Sequence, residues 1–433
     1  MRPAVAAPML EPGGSFAPML ERVIPAVVTI RVTGRKLRPT PIPMRQKDGK
    51  AAAMPPPETE KFGAGGSGVI VDAEQGYIIT NNHVIENATR IEVALSSGRR
   101  MLAKLIGTDI GSDVAVIKVD EPGLPSIKLG DSDAARVGDI VAAVGNPFGL
   151  EGTATLGIVS AVMRTEIGHG LFEDYLQIDA QIHPGNSGGA LVNARGELIG
   201  INTVGGERRS LGIGFAVPFN MARVIMDELI TAGRMRRGST GIIAADLPME
   251  LASPRDGGVT RGAIVRKVLP KSPAAAAGVQ VGDIVVSAGN RPVRSAAEFV
   301  TRTATVPLGT SIPIVLFAKG QGRLVSLMSA DIVIDPEEIT LPPEMGSLAG
   351  AVVAEILLGN RLYGDVLGAE VLRVAAGSPA YWIGLEPGDV IVGIDDAKVR
   401  SPKELVYRVG RAGTELRIAI VRGGAPGLIR GQH

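Results

Sequence analysis

The sequence contains an internal repeat, and this feature limits the possible folds more than any other. One segment begins at Ser272 and reads SPAAAAGVQVGDIVVSAGNRPVRSAAEF, and a second begins at Ser378 and reads SPAYWIGLEPGDVIVGIDDAKVRSPKEL. Their shared residues keep a constant offset of 106 positions. Each copy ends in a Ser-x-x-Glu capping box, which predicts that a helix begins at the same place in both. Two copies roughly 100 residues apart predict tandem domains of one fold rather than a solenoid.

The region before the repeats carries short apolar runs that are typical of strands. They are rich in β-branched residues and bounded by turn formers, as in an all-β barrel or sandwich. A helix is expected to follow Asn220 and to stop at Gly233, near the end of this domain. The runs are GVIV at 68, YIIT at 77, IEVAL at 91, DVAVIKV at 113, DIVAAVG at 139, ELIGINTV at 197 and GIGFAV at 212.

These patterns predict three domains. Residues 1–236 form a mostly β domain, within which residues 34–61 carry prolines and charges without periodicity and are expected to be a mobile loop. Residues 237–335 and 345–433 form the two repeats. The acidic, proline-containing segment 335–344 is the predicted joint between them.

The composition excludes several functional classes. The 433 residues include no cysteine, so disulfides, cysteine-ligated zinc, iron–sulfur clusters and thiol nucleophiles are excluded. Because 45 Lys and Arg balance 44 Asp and Glu, neither nucleic acid nor a membrane surface is indicated as the main partner. Residues 1–14 lack the apolar run of a signal peptide, and the apolar stretch 348–358 is too short for a membrane span. We therefore expect a soluble chain.

The sharpest local motif is IHPGNSGGAL at 182–191, in which glycines flank Ser187. Glycine lets the backbone turn tightly, and consecutive N–H groups can then converge on one point as an oxyanion hole requires. A glycine-rich turn in a β protein would have the same sequence. The order of possible catalytic partners along the chain must therefore decide between the two interpretations.

Chain order and local setting reduce the four histidines to one candidate base. An α/β-hydrolase order needs a histidine after the serine, and the only one is His433, the last residue. His169 lies between two glycines in a polar stretch, and His183 is close enough to Ser187 in sequence that we expect it to shape the loop. His83 follows a strong strand and begins a helical turn, which is a rigid mount for a general base.

Asp113 completes a His–Asp–Ser order of chymotrypsin type. It lies between His83 and Ser187 and opens the apolar strand DVAVIKV, where a carboxylate can orient the imidazole. The same aspartate before His169 would give a subtilisin-like order, which the loop setting of that histidine disfavours. On the residues alone the triad is favoured, and the plain glycine turn stays open.

Other motifs are absent or incomplete. A G-x-G-x-x-G sequence occurs at 63–68, but a strand follows it where the dinucleotide fingerprint requires a helix. No H-E-x-x-H, P-loop or EF-hand spacing occurs. The sequence therefore predicts no metal, no nucleotide and no other cofactor.

Motifs along nearly the whole chain resemble those of the HtrA/Deg serine proteases. Their order and spacing match throughout the first domain, and the repeats resemble the PDZ domains that follow it in that family. The resemblance implies a mostly β fold in which a chymotrypsin-like double β-barrel precedes two α+β PDZ domains. The motifs are GSGVI at 66–70, TNNHV at 80–84, SDVAV at 112–116, GNPFGL at 145–150, GNSGGALVN at 185–193 and GIGFAVP at 212–218.

The resemblance also implies roles for individual residues. It assigns the nucleophile to Ser187, the general base to His83 and the orienting carboxylate to Asp113. Backbone N–H groups of Gly185 and Ser187 would form the oxyanion hole, and Arg164 would sense activation in a regulatory loop over 164–174. The implied substrate-binding residues, which pair with the substrate and line an apolar pocket for small aliphatic side chains, are Asn186, Ile201, Asn202, Thr203 and Val204.

For the first PDZ domain the resemblance implies a carboxylate-binding loop over Ser239–Ile243, with Gly241 and Ile242 matching the family pattern. A substrate C-terminus would bind its N–H groups while the peptide adds a strand to the groove edge. In the second repeat the corresponding stretch is 348–351. It departs from the pattern, and a role in assembly is the alternative there.

The implied activity is that of an ATP-independent serine endopeptidase that degrades unfolded or misfolded polypeptides in the periplasm. The resemblance further implies a homotrimer or a multiple of it, with Phe16 either between protomers or packed within one chain. The absence of cysteine separates this chain from family members with a disulfide-bearing loop. The competing hypothesis is a chaperone or PDZ scaffold whose protease site is silent.

Overall fold

The structure is a computed structural model in which strands predominate, which confirms the predicted mostly β fold. The chain divides into two compact units, one with residues 1–34 and 63–332 and the other with residues 35–62 and 333–433. None of the helices in the described ranges is long and apolar enough to cross a membrane. The structure describes residues 14–44, 58–146, 152–165, 167, 170, 172–203, 212–252, 259–318, 320–331, 337–356 and 366–433.

A first barrel is built from the β-branched runs near the start of the chain. Its inward-facing isoleucines, such as Ile70, Ile78 and Ile117, are fully buried. The first strands of the chain are β1 (Val27–Leu37), β2 (Thr40–Pro41), β3 (Thr59–Asp72), β4 (Tyr77–Thr80), β5 (Ala88–Ala94), β6 (Arg100–Asp109) and β7 (Val114–Lys118). All except β2 close the barrel in the order β1-β3-β4-β7-β6-β5, and β5 pairs back with β1.

A second barrel follows in the same unit. Its strands are β8 (Lys128–Leu129), β9 (Ile140–Gly145), β10 (Thr153–Arg164), β11 (Tyr175–Ile178), β12 (Ala190–Asn193), β13 (Glu197–Thr203) and β14 (Gly214–Pro218). The order is β12-β9-β10-β11-β14-β13, which the β12–β13 pair closes, and β8 adds to β13 in parallel. The α-helices that accompany the barrels in the described ranges are α1 (Ala17–Val23), α2 (Asn82–Ile85) and α3 (Phe219–Ala232). Helix α3 ends at Gly233, whose φ of 72° is the left-handed conformation that glycine favours.

A buried ion pair joins the segment after α3 to the first barrel. One terminal nitrogen of Arg237 lies 2.8 Å from Asp109 Oδ1, and the other binds Asp109 Oδ2 and the Ser112 hydroxyl. The guanidinium also stacks over the ring of Phe172, 4.1 Å from its centroid. Removing one partner of such a pair leaves an uncompensated buried charge, at a cost of about 3–5 kcal/mol. The interaction therefore fixes the turn that immediately precedes Asp113.

The first repeat folds as a sheet covered by two helices. Its strands are β15 (Ile242–Asp246), β16 (Ala263–Val268), β17 (Ile284–Ala288), β18 (Arg291–Pro292), β19 (Ser311–Ala318) and β20 (Gln321–Met328), and its helices are α4 (Pro273–Ala276) and α5 (Ala296–Ala304). The sheet order is β15-β16-β17-β19-β20, and β18 pairs with β17. The Ser295 hydroxyl accepts a hydrogen bond from the Glu298 N–H at 3.2 Å, so the capping box begins α5 as predicted.

The second repeat has the same core arrangement with additional edge strands. Its strands are β21 (Glu338–Thr340), β22 (Ala351–Glu355), β23 (Ala369–Val374), β24 (Val390–Ile394), β25 (Ala397–Lys398), β26 (Glu415–Arg422) and β27 (Ala425–Gln432), and its helices are α6 (Pro379–Trp382) and α7 (Pro402–Val409). The sheet order is β2-β27-β26-β24-β23-β22-β21. The predicted capping box is present again, with the Ser401 hydroxyl 3.2 Å from the Glu404 nitrogen.

The prediction of a mobile loop over 34–61 is wrong for the part that the structure describes. Strand β1 continues to Leu37, β3 begins at Thr59, and β2 pairs in parallel with β27 between them. Ile42, just after β2, is buried in the core of the second repeat. Proline is tolerated on such an edge strand, and two residues are too few to show a sequence period. Residues 45–57 lie outside the described ranges.

Candidate active site

His83 and Asp113 come together from two neighbouring strands of the first barrel. His83 lies in the short helix α2, directly after β4, and Asp113 lies immediately before β7, which pairs with β4. The Nδ1 atom of His83 is 2.8 Å from Asp113 Oδ2, and its backbone N–H donates to Oδ1 at 3.0 Å. The His83 side chain is 42% exposed whereas that of Asp113 is 8% exposed. The carboxylate is thus enclosed, and the far side of the imidazole remains accessible to a substrate.

The environment of Asp113 holds the carboxylate in place. The residue has a left-handed φ of 56°, which turns the chain sharply from the preceding 3₁₀ turn into β7. The Thr203 hydroxyl donates to Oδ2 at 3.1 Å, and the Asn81 amide donates to the Asp113 carbonyl at 2.9 Å. Burial raises the pKa of the Tyr175 hydroxyl well above its ordinary value, and the negative charges of Glu173 and then Asp113 raise it further. Tyr175 therefore stays neutral beside the carboxylate.

Ser187 is placed by glycines that no other residue could replace. At Gly188 the backbone has a φ of 81°, and a Cβ would lie 2.2 Å from the Ser67 carbonyl oxygen. At Gly189 a Cβ would lie 2.3 Å from the Val144 carbonyl oxygen. Among the described residues, the hydroxyl of Ser187 has no hydrogen-bond partner. A hydrogen bond between a nucleophilic hydroxyl and its general base often forms only when a substrate binds. The Ser187 hydroxyl therefore remains a candidate nucleophile.

Ser67 binds the serine loop through its side chain and its main chain, which the sequence did not predict. Its hydroxyl donates to the Gly185 carbonyl at 2.6 Å and accepts the Asn146 N–H at 2.8 Å. Its backbone N–H donates to the Ser187 carbonyl at 2.8 Å, and its own carbonyl accepts from the Thr80 hydroxyl at 2.7 Å. Ser67 is fully buried, so these bonds are shielded from water. The G-S-G sequence at 66–68 was the only signal of this role.

The contacts of Ser67 fix the conformation of Gly185, whose φ is 101°. Holding the carbonyl of Gly185 sets the direction of the peptide that follows it, where the Asn186 N–H donates to the His183 carbonyl at 3.0 Å. The N–H groups of Gly185 and Ser187 are the donors that the resemblance assigns to the oxyanion hole. Ser67 is therefore a positioning residue for that loop.

We expect Ser67→Ala to lower kcat about 10–100-fold while KM changes less than about threefold, because donors misplaced by about 1 Å lose transition-state stabilisation. Steady-state hydrolysis of a peptide substrate measures both constants. Ser132→Ala is the matched control, since its buried hydroxyl also accepts a backbone N–H, from Asn220, but away from the site. An unchanged kcat in a folded Ser67→Ala protein would contradict the positioning role.

Some residues predicted to bind substrate face the interior instead. Ile201 is opposite Ala190 on one side and Val217 on the other, so neither edge of β13 is free there. The Asn202 amide donates to the Ala190 carbonyl at 2.9 Å. The prediction that Ile201 and Asn202 pair with a substrate as an added strand is therefore wrong, because the closing of the second barrel uses both edges.

The other predicted substrate-binding residues also differ from the expectation. Asn186 is fully buried, and its amide packs where a Cβ on Gly145 would collide with it. Thr203 contacts Asp113 rather than an open pocket. Val204 lies outside the described residues, as does His169.

Arg164 lies at the end of β10 and donates to the Gln177 side chain at 2.8 Å. It lines a cavity of about 550 Å³ together with Met163 of the second barrel and with Asp246 and Arg294 of the first repeat. The predicted regulatory residue is thus next to the first repeat, in the same compact unit.

The predicted peptide-binding loop of the first repeat turns tightly at Gly241. Gly241 has a φ of 84°, and a Cβ there would lie 2.1 Å from the Cβ of Ser272. Ile242 is buried at the start of β15, whose outer edge is unpaired among the described residues. A peptide could therefore add to this edge as a strand.

No group of three His, Asp or Glu residues that could hold a metal occurs in the described part of the chain.

Comparisons with known proteins agree with this architecture. The model of the trypsin-like peptidase domain matches residues 66–201, and the PDZ domain model matches residues 264–316 and 370–422. The fold and these matches define a trypsin-like serine endopeptidase that carries two PDZ domains.

Individual relatives place the chain in a family. It is 41% identical over 420 residues to the periplasmic pH-dependent serine endoprotease DegQ of Escherichia coli K12. The aligned region covers 94% of this chain and 89% of the relative. It is 39% identical over 438 residues to the periplasmic serine endoprotease DegP of the same strain, covering 94% and 90%. The solved structure of the HtrA-type protease AlgW with a decapeptide is 37% identical, covers 74% of this chain and all of that one, and has a TM-score of 0.53. The chain belongs to the HtrA/Deg family of serine proteases.

Proposed function

We propose that the chain is an ATP-independent endopeptidase that degrades unfolded or misfolded proteins, with Ser187 as nucleophile, His83 as general base and Asp113 as orienting carboxylate. The observation that carries this proposal is the His83–Asp113 pair at 2.8 Å. It lies in the same compact unit as Ser187, which is flanked by glycines. Because the relatives DegQ and DegP are named periplasmic, the periplasm is the proposed compartment.

The proposed mechanism follows from the chemistry of these groups. Ser187 Oγ attacks the carbonyl carbon of the scissile peptide bond while His83 Nε2 takes the hydroxyl proton. Asp113 accepts the Nδ1–H and stabilises the imidazolium that forms. The negative charge on the substrate oxygen is stabilised by the N–H groups of Gly185 and Ser187. His83 then donates the proton to the leaving amine. In the second half of the reaction His83 takes a proton from water, which attacks the acyl carbon, and then returns a proton to Ser187 Oγ.

Extended substrates fit this site better than folded ones. Acyl transfer requires the scissile bond to enter between His83 and the Ser187 loop, and in the described part of the chain both are held by the barrels. A polypeptide must therefore present an unfolded segment. No acidic residue occurs over 202–206, so the proposed preference at the cleaved bond is for small aliphatic residues such as Val and Ala rather than Lys or Arg.

The first PDZ domain is the proposed recognition and control module. Arg291 of this domain lies 2.8 Å from the buried Asp174, which comes just before β11 of the second barrel. Burial raises the pKa of Asp174, and Arg291 opposes that shift. Arg164 lies beside the same domain. A peptide bound along β15 could therefore affect the second barrel through the contacts of Arg291 and Arg164. The homotrimer, and the place of the half-buried Phe16 in it, stay predictions.

Digestion of an unfolded protein tests the proposal against the chaperone alternative. The chain should cleave a reduced, carboxymethylated protein at least tenfold faster than the same protein in its native form, without ATP. Mass spectrometry of the products should place most cuts after Val or Ala. A chain that prevents aggregation of this substrate on heating, yet leaves it uncut, would support the chaperone or scaffold hypothesis and overturn the protease proposal.

A further inference from the structure

The loop that precedes β22 in the second PDZ domain has the backbone shape of the peptide-binding loop in the first. Gly241 and Gly350 both have a φ of 84°, and each would place a Cβ against the equivalent serine of its repeat, Ser272 or Ser378. Each glycine carbonyl also accepts a hydrogen bond at 2.9 Å from the residue three positions before that serine. The departure of the second loop in sequence therefore leaves the backbone geometry for binding a carboxylate unchanged.

The two domains differ in what lies along the adjacent strand. In the first, β15 pairs with β16, and its other edge is unpaired among the described residues. In the second, β22 pairs with β23 on one side and with β21 on the other. Strand β21 runs antiparallel to β22, in the manner of a peptide that adds to a sheet edge. A strand has only two edges, so no further peptide can pair with β22 in this state.

The main chain at the end of β21 makes the hydrogen bonds of a bound peptide end. The Leu341 N–H donates to the Ala351 carbonyl at 2.8 Å, and the Leu341 carbonyl accepts the Gly350 N–H at 3.0 Å. In the first domain the equivalent N–H of Gly241 instead donates to the Ser239 hydroxyl at 3.0 Å. The carbonyl of Leu341 thus occupies the place where the loop would receive a terminal carboxylate.

The side chains of the same segment alternate as those of a groove-bound peptide do. Leu341 is 1% exposed and belongs to a core cluster with Leu405 and Val409 of α7. Ile339, two residues earlier, is partly buried against that cluster. Glu338 faces outward and forms an ion pair with Arg373 of β23, which lowers the pKa of the Glu338 carboxyl.

We infer that residues 338–341 are an internal ligand of the second PDZ domain. The groove is built for a peptide with aliphatic side chains at its last and third-last positions, and the chain itself fills it. The domain accepts a free C-terminus of that kind only when this segment is displaced. The inference does not depend on the protease site.

Photo-cross-linking in the full chain tests this inference. The probe is the peptide DPEEITL, which copies residues 335–341 and ends in a free carboxylate, with a benzophenone at its N-terminus. A Ser187→Ala background prevents its digestion, and mass spectrometry assigns the cross-links to the first or the second PDZ domain. Leu341→Asp should raise cross-linking to the second domain at least tenfold over the parent chain. Thr340→Asp is the matched control, because this neighbouring side chain is exposed and should leave the cross-linking unchanged.

A cysteine clamp keeps the test decisive if Leu341→Asp does not fold. Thr340 and Val352 lie directly opposite each other, and the chain has no other cysteine to interfere when both are replaced by cysteine. The pair should oxidise readily to an intramolecular disulfide in the folded chain. Failure of this disulfide to form would overturn the inference. The inference would also be overturned if a folded Leu341→Asp chain cross-linked to the second domain no more than the parent chain does.

Discussion

Replacing Ser187 with alanine is expected to lower peptide-bond hydrolysis by about 10⁴–10⁶-fold, because the attacking oxygen is removed. Binding of an unfolded substrate should persist, since the barrels and PDZ domains are untouched. The rate is measured with a fluorogenic peptide and with an unfolded protein, and substrate binding is measured by fluorescence anisotropy. Because the Ser187 hydroxyl donates no hydrogen bond among the described residues, the substitution should leave the thermal stability almost unchanged.

The control for this variant is again Ser132→Ala, which removes a buried hydroxyl whose partner is Asn220 rather than a residue of the proposed triad. It should keep nearly full activity. A Ser187→Ala protein that retained more than about one hundredth of the parental rate would show that another group attacks the substrate.

Replacing Asp113 with asparagine is expected to lower kcat by about 10⁴-fold. The Asn side chain offers an N–H where His83 Nδ1–H needs an acceptor, so the imidazole adopts the wrong tautomer and cannot take the proton of Ser187. The fold should survive, because the His83 backbone N–H can still donate to an amide oxygen at the Oδ1 position, and the Thr203 hydroxyl can accept from the amide N–H at the Oδ2 position. Peptide hydrolysis over a range of pH measures the loss.

Asp179→Asn provides the matched control for the Asp113 variant. The Asp179 carboxylate also accepts a backbone N–H, that of Ile158 at 2.6 Å, but it does not contact His83. Its replacement should change kcat less than about tenfold. If both asparagine variants lost activity equally, the effect of Asp113 would be structural rather than a matter of orienting the imidazole.

Features that depend on short stretches of sequence could be predicted from the sequence alone. Turn-bounded apolar runs predicted an all-β barrel or sandwich, and the Ser-x-x-Glu boxes predicted where α5 and α7 begin. The pairing of His83 with Asp113 could also be predicted, because each residue borders a strong strand and the order of the motif restricts the choice. In each case the physical determinant lies within a few residues of the group concerned.

Features that depend on contacts between distant segments could not be predicted. Ser67 reaches Gly185 across 118 positions, and the Thr203 hydroxyl reaches Asp113 across 90. The closing of the second barrel buries Ile201, for which the family resemblance implied contact with a substrate. Two short strands, β2 and β21, are stable only because each adds to the edge of a sheet that already exists.

The central claim is that His83 and Asp113 activate Ser187 for attack, and covalent labelling tests it most directly. A fluorophosphonate reacts with an activated serine, and peptide mapping by mass spectrometry identifies the modified residue. We predict modification of Ser187 and of no other serine, with a rate that falls at least 100-fold in His83→Ala. Labelling at a different residue, or labelling of Ser187 at the same rate without His83, would contradict the claim.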